Sequence, residues 1–162
     1  MRYSSLVLLA VLGCGGVKFK ETEALTKRLG SYNVVRLDTT ISDPSAFGFI
    51  REFEAAMVGA MTNRVLFKSY VLAGGEGGDV KLSIKISGVT KSHDVGTSMG
   101  GAFRGSGKVT ADCILEDLKT GERLGAFMVS GKSGAFGSGG TGTQEALQTT
   151  VNQIADYLAA HR

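Results

Sequence analysis

From Asp79 to Lys91 apolar and polar residues alternate. Val80, Leu82, Ile84 and Ile86 fall on one side, and Lys81, Ser83, Lys85 and Ser87 on the other. A period of two is that of a strand with one buried and one wet face. Tyr32 to Thr39 and Val65 to Leu72, rich in β-branched and aromatic residues, predict two further strands. The adjacent Val34 and Val35 imply that the first of these is covered on both faces and central. Between them the period changes. Phe49, Ile50, Phe53, Ala56, Met57, Ala60 and Met61 recur at helical spacing, with Arg51, Glu52 and Glu54 on the solvated face. Ser42-Asp43-Pro44 supplies capping oxygens and a proline suited to a first turn, so a helix is expected from there to about Asn63. Leu147, Val151, Ile154 and Leu158 stripe a second helix from about Thr143, capped by Thr141 or Thr143.

The segment between Lys108 and Gly131 reads as a hairpin with a definable register. Leu118-Lys119-Thr120-Gly121-Glu122 suits a three-residue loop with Gly121 left-handed. Val109, Ala111, Cys113 and Leu115 then oppose Gly131, Val129, Phe127 and Gly125 on one apolar face, which supports the register. The opposite face carries Lys108, Thr110, Asp112 and Glu116, with an apolar patch of Ile114, Ala126 and Met128. That patch is a candidate contact for a partner, a second subunit or a helix of the same chain. The elements follow in the order β-α-β-β-β-β-α. The expected fold is α+β, a mostly antiparallel sheet with two principal helices packed on it.

The N-terminus changes the picture of where such a domain works. Arg2 precedes an unbroken apolar run from Leu6 to Leu12, then Gly13 and Cys14. Seven residues are too few to cross a hydrocarbon core of about 30 Å, so the run fits a secretory signal. Val11-Leu12-Gly13-Cys14 resembles the bacterial lipobox, in which the cysteine thiol is acylated and the chain is cut before it. On that reading residues 1–13 are a signal peptide and 14–31 are the palmitate-bearing Cys14 and a tether. Glu21 to Leu29 has some helical tendency, and residues 32–162 form one domain. Gly15 in place of aspartate after Cys14 points to the outer membrane, facing the periplasm. Losing Arg2 lowers the formal charge from +3 to +2, too little to argue for nucleic acid as a partner. Cys113 is left as the other cysteine, read as a small buried hydrophobe.

Twenty-four glycines, where average usage gives about 11, concentrate attention on two loops. Gly131-Lys132-Ser133 looks like the end of a phosphate loop. The first glycine of that motif would have to stand at position 126, which is alanine, and Phe127 to Val129 belong to a strand. Gly137 to Gly142 satisfies G-x-G-x-x-G but lacks the parallel βαβ unit and the acidic residue downstream. No nucleotide and no other cofactor is expected. The segment GAFRGSG at 101–107 echoes GAFGSGG at 134–140, and the register sets Gly107 opposite Ser133. Phe103, Arg104 and Phe136, on a rim built from paired loops, and Ile114 and Met128 of the apolar patch are therefore the candidate binding residues. A hinge whose phenylalanines tuck against the core is the alternative. His93 reads as a surface histidine, and Glu116-Asp117 and Glu52/Glu54 as solvated charges. No nucleophile, base and orienting group assemble, and no metal-ligand spacing occurs, so an enzyme is not expected.

The lipobox, the YNVVRLD strand entering an SDP-led helix, and EDLKTGERLGAF followed by glycines and a helix ending IADYL resemble a family of bacterial lipoproteins. That family is catalogued as a domain of unknown function. The similarity covers roughly residues 30–160. The element order is similar to that of the curli-secretion lipoprotein, the lipoprotein activators of penicillin-binding proteins and the N-terminal domain of the Tol-system translocation protein. The resemblance implies a lipid-anchored envelope module that binds a protein partner or forms a homo-oligomer. A small-ligand or glycan-binding lipoprotein, with the paired loops as a lid, remains the alternative.

Overall fold

The computed structural model describes residues 16–43, 46–90, 107–133 and 142–162. The elements are β1 (Lys18–Glu23), β2 (Val34–Ile41), α1 (Gly48–Asn63), β3 (Ser69–Val71), β4 (Val80–Thr90), β5 (Lys108–Asp117), β6 (Arg123–Lys132) and α2 (Gly142–Ala160). One six-stranded sheet has the order β1-β6-β5-β4-β2-β3. β1 with β6, β6 with β5 and β5 with β4 are antiparallel, whereas β2 runs parallel to both β3 and β4. The fold is α+β with a mostly antiparallel sheet, and the seven elements expected from β2 onward occur in the expected order.

Both helices contribute to one buried cluster with Val35, Leu37, Leu82, Ile84, Ile86, Leu115 and Phe127 of the sheet. They therefore cover one face, and among the described residues no helix covers the other. The alternation of β4 puts Val80, Leu82, Ile84 and Ile86 into this core as expected. In the β5–β6 hairpin, Val109 opposes Gly131, Ala111 opposes Val129, Cys113 opposes Phe127 and Leu115 opposes Gly125. The expected register holds until a shift at the turn, where Glu116 faces Arg123. Gly121 takes φ 71°, the left-handed value the loop demands. Its N–H donates to the Asp117 carbonyl at 2.8 Å.

Close approach explains two glycines. A Cβ on Gly131 would lie 2.5 Å from Thr150 Oγ1 and 2.7 Å from the Ala146 carbonyl oxygen, and one on Gly107 would lie 2.3 Å from the Gly142 backbone. Bare backbone on β6 and just before β5 is thus what lets α2 lie down on the sheet. Thr150, fully buried, accepts from the Gly131 N–H at 3.1 Å and donates to the Ala146 carbonyl at 2.8 Å.

Several expectations are corrected. Residues 18–23 lie within the supposed tether, where a helical tendency was expected. Instead they form an edge strand, held by a ring cluster in which Phe19 sits 4.9 Å from Tyr157 and 5.7 Å from Phe127. α1 starts at Gly48, several residues late, and its N-cap Phe47 makes no side-chain capping bond. The reason is that the Ser42 N–H donates to the Ile86 carbonyl at 3.0 Å, so the would-be cap is still tied to β4. β3 is short because Val65 ends α1 in a left-handed conformation and Leu66 N–H bonds back to Met61. β2 is flanked by β3 and β4, but helices cover only its Val35 side, and Val34 is half-buried.

Candidate interaction surface

The register defines the open face of the sheet residue by residue. Lys132 pairs with Lys108, Lys18 with Ser130, and Lys20 with Met128. Met128 in turn opposes Asp112, which opposes Lys85 on β4. Further along, Ala126 and Ile114 face each other, with Ser83 beyond. The last row holds Arg123, Glu116, Lys81 and Arg36. Successive rows alternate in and out of the sheet by the pleat, so these side chains share one side.

Charge is distributed unevenly over this face. At the hairpin-turn end the groups are matched: Lys81 to Glu116 at 2.7 Å, Arg123 to Glu23 at 2.6 Å and Arg36 to Asp38 at 3.7 Å. At the other end Lys18, Lys20, Lys85, Lys108 and Lys132 are exposed. None of them has an ion-pair partner among the described residues. Between the two ends lies the expected apolar patch, where Ile114 is 36% exposed and Met128 half-buried. Ile114 and Met128 are diagonal neighbours across β5 and β6, close enough to share one contact.

The turn end is braced from within. Asp117, only 7% exposed, accepts from the Tyr32 hydroxyl at 2.9 Å and from the Lys119 and Thr120 amides at 2.9 and 3.1 Å. These bonds, the Tyr32 one foremost, hold its carboxyl below the ordinary carboxylate value. Burial and the same bond push Tyr32 up to about 12. Asp79 caps the start of β2 by accepting from the Asn33 and Val34 amides at 2.9 and 3.1 Å, which lowers its pKa as well. Both carboxylates are already engaged in holding backbone and Tyr32 in holding Asp117, so the cluster is structural. The expectation that Asp117 is a solvated charge is therefore wrong, while Glu116 does sit on the open face. Glu54 is likewise buried, its Oε1 without a hydrogen-bond partner among the described residues, where a solvated helix face was expected.

Cys14, Phe103, Arg104 and Phe136, and with them His93, lie outside the described residues. The roots of the two glycine segments are described. Ser133 N–H donates to the Gly107 carbonyl at 3.0 Å, and Gly107 N–H donates to Ser133 Oγ at 2.8 Å. Gly107 and Ser133 therefore lie side by side, at the lysine-rich end. Cys113 is free and fully buried, as expected, and burial pushes its thiol pKa up. Among the described residues no cluster of three His, Cys, Asp or Glu could hold a metal ion, and no helix is long and apolar enough to cross a membrane.

A six-stranded sheet with both helices on one face and the chain order given above has counterparts among solved structures. The fold is shared with PelC. The PelC dodecamer from Paraburkholderia phytofirmans superposes with a TM-score of 0.64 at 10% identity, over 90% of this chain and 99% of the PelC chain. A Chlamydia trachomatis hypothetical protein gives a TM-score of 0.53 at 8% identity, over 80% of this chain and 97% of its own. A Xanthomonas campestris protein of the domain-of-unknown-function family DUF330 gives 0.51 at 13% identity, over 85% and 91%. No protein-family model matches the chain, and no curated protein matches it by sequence. At these identities the likeness is one of fold. Lys18 and Lys20, with the strand that presents them, were missed by sequence reasoning. The usable signal was the alternation Val17, Phe19 against Lys18, Lys20, too short to stand out beside a supposed tether.

Proposed function

We propose that the chain is a lipid-anchored cell-envelope protein, acylated on Cys14 at the periplasmic side of the outer membrane, whose α+β domain works by assembling with copies of itself. It acts by binding and carries no catalysis of its own. The observation that carries this reading is the end-to-end match to a chain that forms a dodecamer, 99% of which this domain covers. Two features of this chain support it. Among the described residues both sheet edges, β1 and the three-residue β3, have a free side in the sheet, and a second copy or an envelope protein can pair there. The exposed Ile114 and its neighbour Met128 add an apolar contact on the open face.

Two measurements test the reading. Substituting Cys14→Ala removes metabolic palmitate label from the protein; retained label refutes the anchor. Light scattering of the detergent-extracted protein gives a mass several times that of one 16.9 kDa chain. A monomer in that measurement, together with no self-adduct on crosslinking in intact envelopes, refutes self-assembly. A discrete heterologous adduct in its place assigns the domain to a different protein partner.

A further inference from the structure

We propose that the lysine-rich end of the open sheet face is a docking surface for anionic phospholipid headgroups in the leaflet that carries the anchor. The inference rests on the reading of Cys14 as the acylated residue and adds to it the orientation of the domain.

The first observation is where the chain enters the sheet. A Cβ on Gly16 would lie 3.4 Å from Lys132 Cβ, so the backbone at Gly16 runs against the last residue of β6. Cys14 stands two positions before Gly16, and two residue steps reach at most about 7 Å. Acyl chains on Cys14 must then enter the bilayer beside Lys132. The expected long tether would have uncoupled domain and membrane; β1, beginning at Lys18, removes that freedom.

The second observation is the charge found there. Lys132 and Lys108 are opposed across the β5–β6 ladder, Lys18 lies on the next strand, and Lys20 and Lys85 flank Asp112 within two residues along the sheet. Five lysines stand against one carboxylate, although the whole chain carries only +3. Among the described residues, positive charge is thus gathered at the corner nearest the anchor, while Glu116, Glu23 and Asp38 are paired at the far end of this face. Strands about 4.8 Å apart spread the lysines over a face roughly 14 Å wide, broad enough to meet several phosphates of a membrane surface at once. One acyl anchor combined with a basic patch is a recognised route to stable membrane attachment, and each lysine near an anionic surface adds favourably. A flexible, strongly hydrated ammonium also suits phosphates that have no fixed geometry.

The test is lysine acylation footprinting of the full protein extracted from envelopes and reconstituted into nanodiscs. One set is phosphatidylcholine alone, and the other holds about a third phosphatidylglycerol. Capture on both sets reports the anchor, and protection of the lysines reports docking, so the two readings fail separately. On the anionic discs Lys18, Lys20, Lys85, Lys108 and Lys132 should be labelled at least about threefold less than on the neutral ones. Lys68 and Lys119, exposed elsewhere, should be unchanged. Protection should disappear at about 1 M salt, where the screening length is about 3 Å. Replacing Lys18, Lys20, Lys108 and Lys132 together by glutamine, at exposed positions that tolerate it, should deprotect Lys85. Equal labelling on the two discs overturns the proposal. So does protection already complete on phosphatidylcholine, which would assign the face to a protein contact.

Discussion

The seating of α2 on β6 depends on the absence of one side chain, and Gly131→Ala tests that directly. The added methyl would stand 2.5 Å from Thr150 Oγ1, 2.7 Å from the Ala146 carbonyl oxygen and 2.9 Å from the Thr150 nitrogen. Two of these three atoms are helix backbone, so no rotamer change relieves them. Regaining ordinary contact near 3.4 Å requires α2 to withdraw by about 0.5–0.7 Å, a gap that forfeits roughly a quarter of the dispersion energy across the seam. Val151, Ile154 and Leu147, which pack there, all lose contact. Overpacking of this kind costs about 1–3 kcal/mol, and weakening of the Gly131–Thr150 hydrogen bond adds about 0.5–1.5 kcal/mol. We expect a loss of about 2–4 kcal/mol by urea denaturation followed by far-ultraviolet circular dichroism. The melting temperature should fall by roughly 4–16 °C for a chain of this size. Gly59→Ala on the exposed side of α1, where a Cβ meets nothing within 4 Å, is the control. It should stabilise by about 0.5–1 kcal/mol. Adding Thr150→Ala to Gly131→Ala removes the hydroxyl clash and leaves both backbone clashes, so recovery must be incomplete. A Gly131→Ala protein within about 0.5 kcal/mol of the parent would refute the account.

Three further outcomes follow from local chemistry. Asp117 and Asp79 have folded-state pKa values below the unfolded value of about 3.9, so their contribution is complete above that pH and is lost as pH falls through the folded values. The urea midpoint should be flat above about pH 5 and decline below about pH 4, less steeply in Asp117→Asn; a midpoint unchanged from pH 5 to 3 contradicts this. Tyr32, raised to about 12 first by burial and then by Asp117, contributes below its unfolded value near 10 and loses that contribution as pH rises towards 12. At the end of α1, Val65 is β-branched, 67% exposed and held at φ 53°. Val65→Gly should therefore stabilise by about 1 kcal/mol, read as a higher melting temperature, and a lower one would refute the strain.

Where a buried face and a turn acted on the same short segment, the sequence was readable. Lys119-Thr120-Gly121 set the hairpin, and the apolar match along β5 and β6 checked it, so the register followed almost to the turn. The candidate surface was legible in the same measure. Ile114 and Met128 emerge on the open face because they alternate with core positions. β1 did not emerge, since nearly all its side chains are exposed and its strand character is imposed by pairing with β6 and by the Phe19–Phe127–Tyr157 ring cluster. Ser42 and Asp43 look like a helix start in isolation, yet Ser42 is bonded to Ile86, a residue far away in the chain.

Periodicity, turn chemistry and the Leu6–Cys14 segment thus determined the element types, the fold class and the expectation of an exported, anchored protein, because each is written in residues that are neighbours along the chain. The order β1-β6-β5-β4-β2-β3, the parallel setting of β2 and the helix-free face were decided only by tertiary structure. So was the meeting of Gly16, Lys18, Lys108 and Lys132 at one corner. Those lysines are dispersed through the sequence as ordinary solvated charges, and they become a patch only when two antiparallel pairings, β1 with β6 and β6 with β5, bring their strands within a few ångströms.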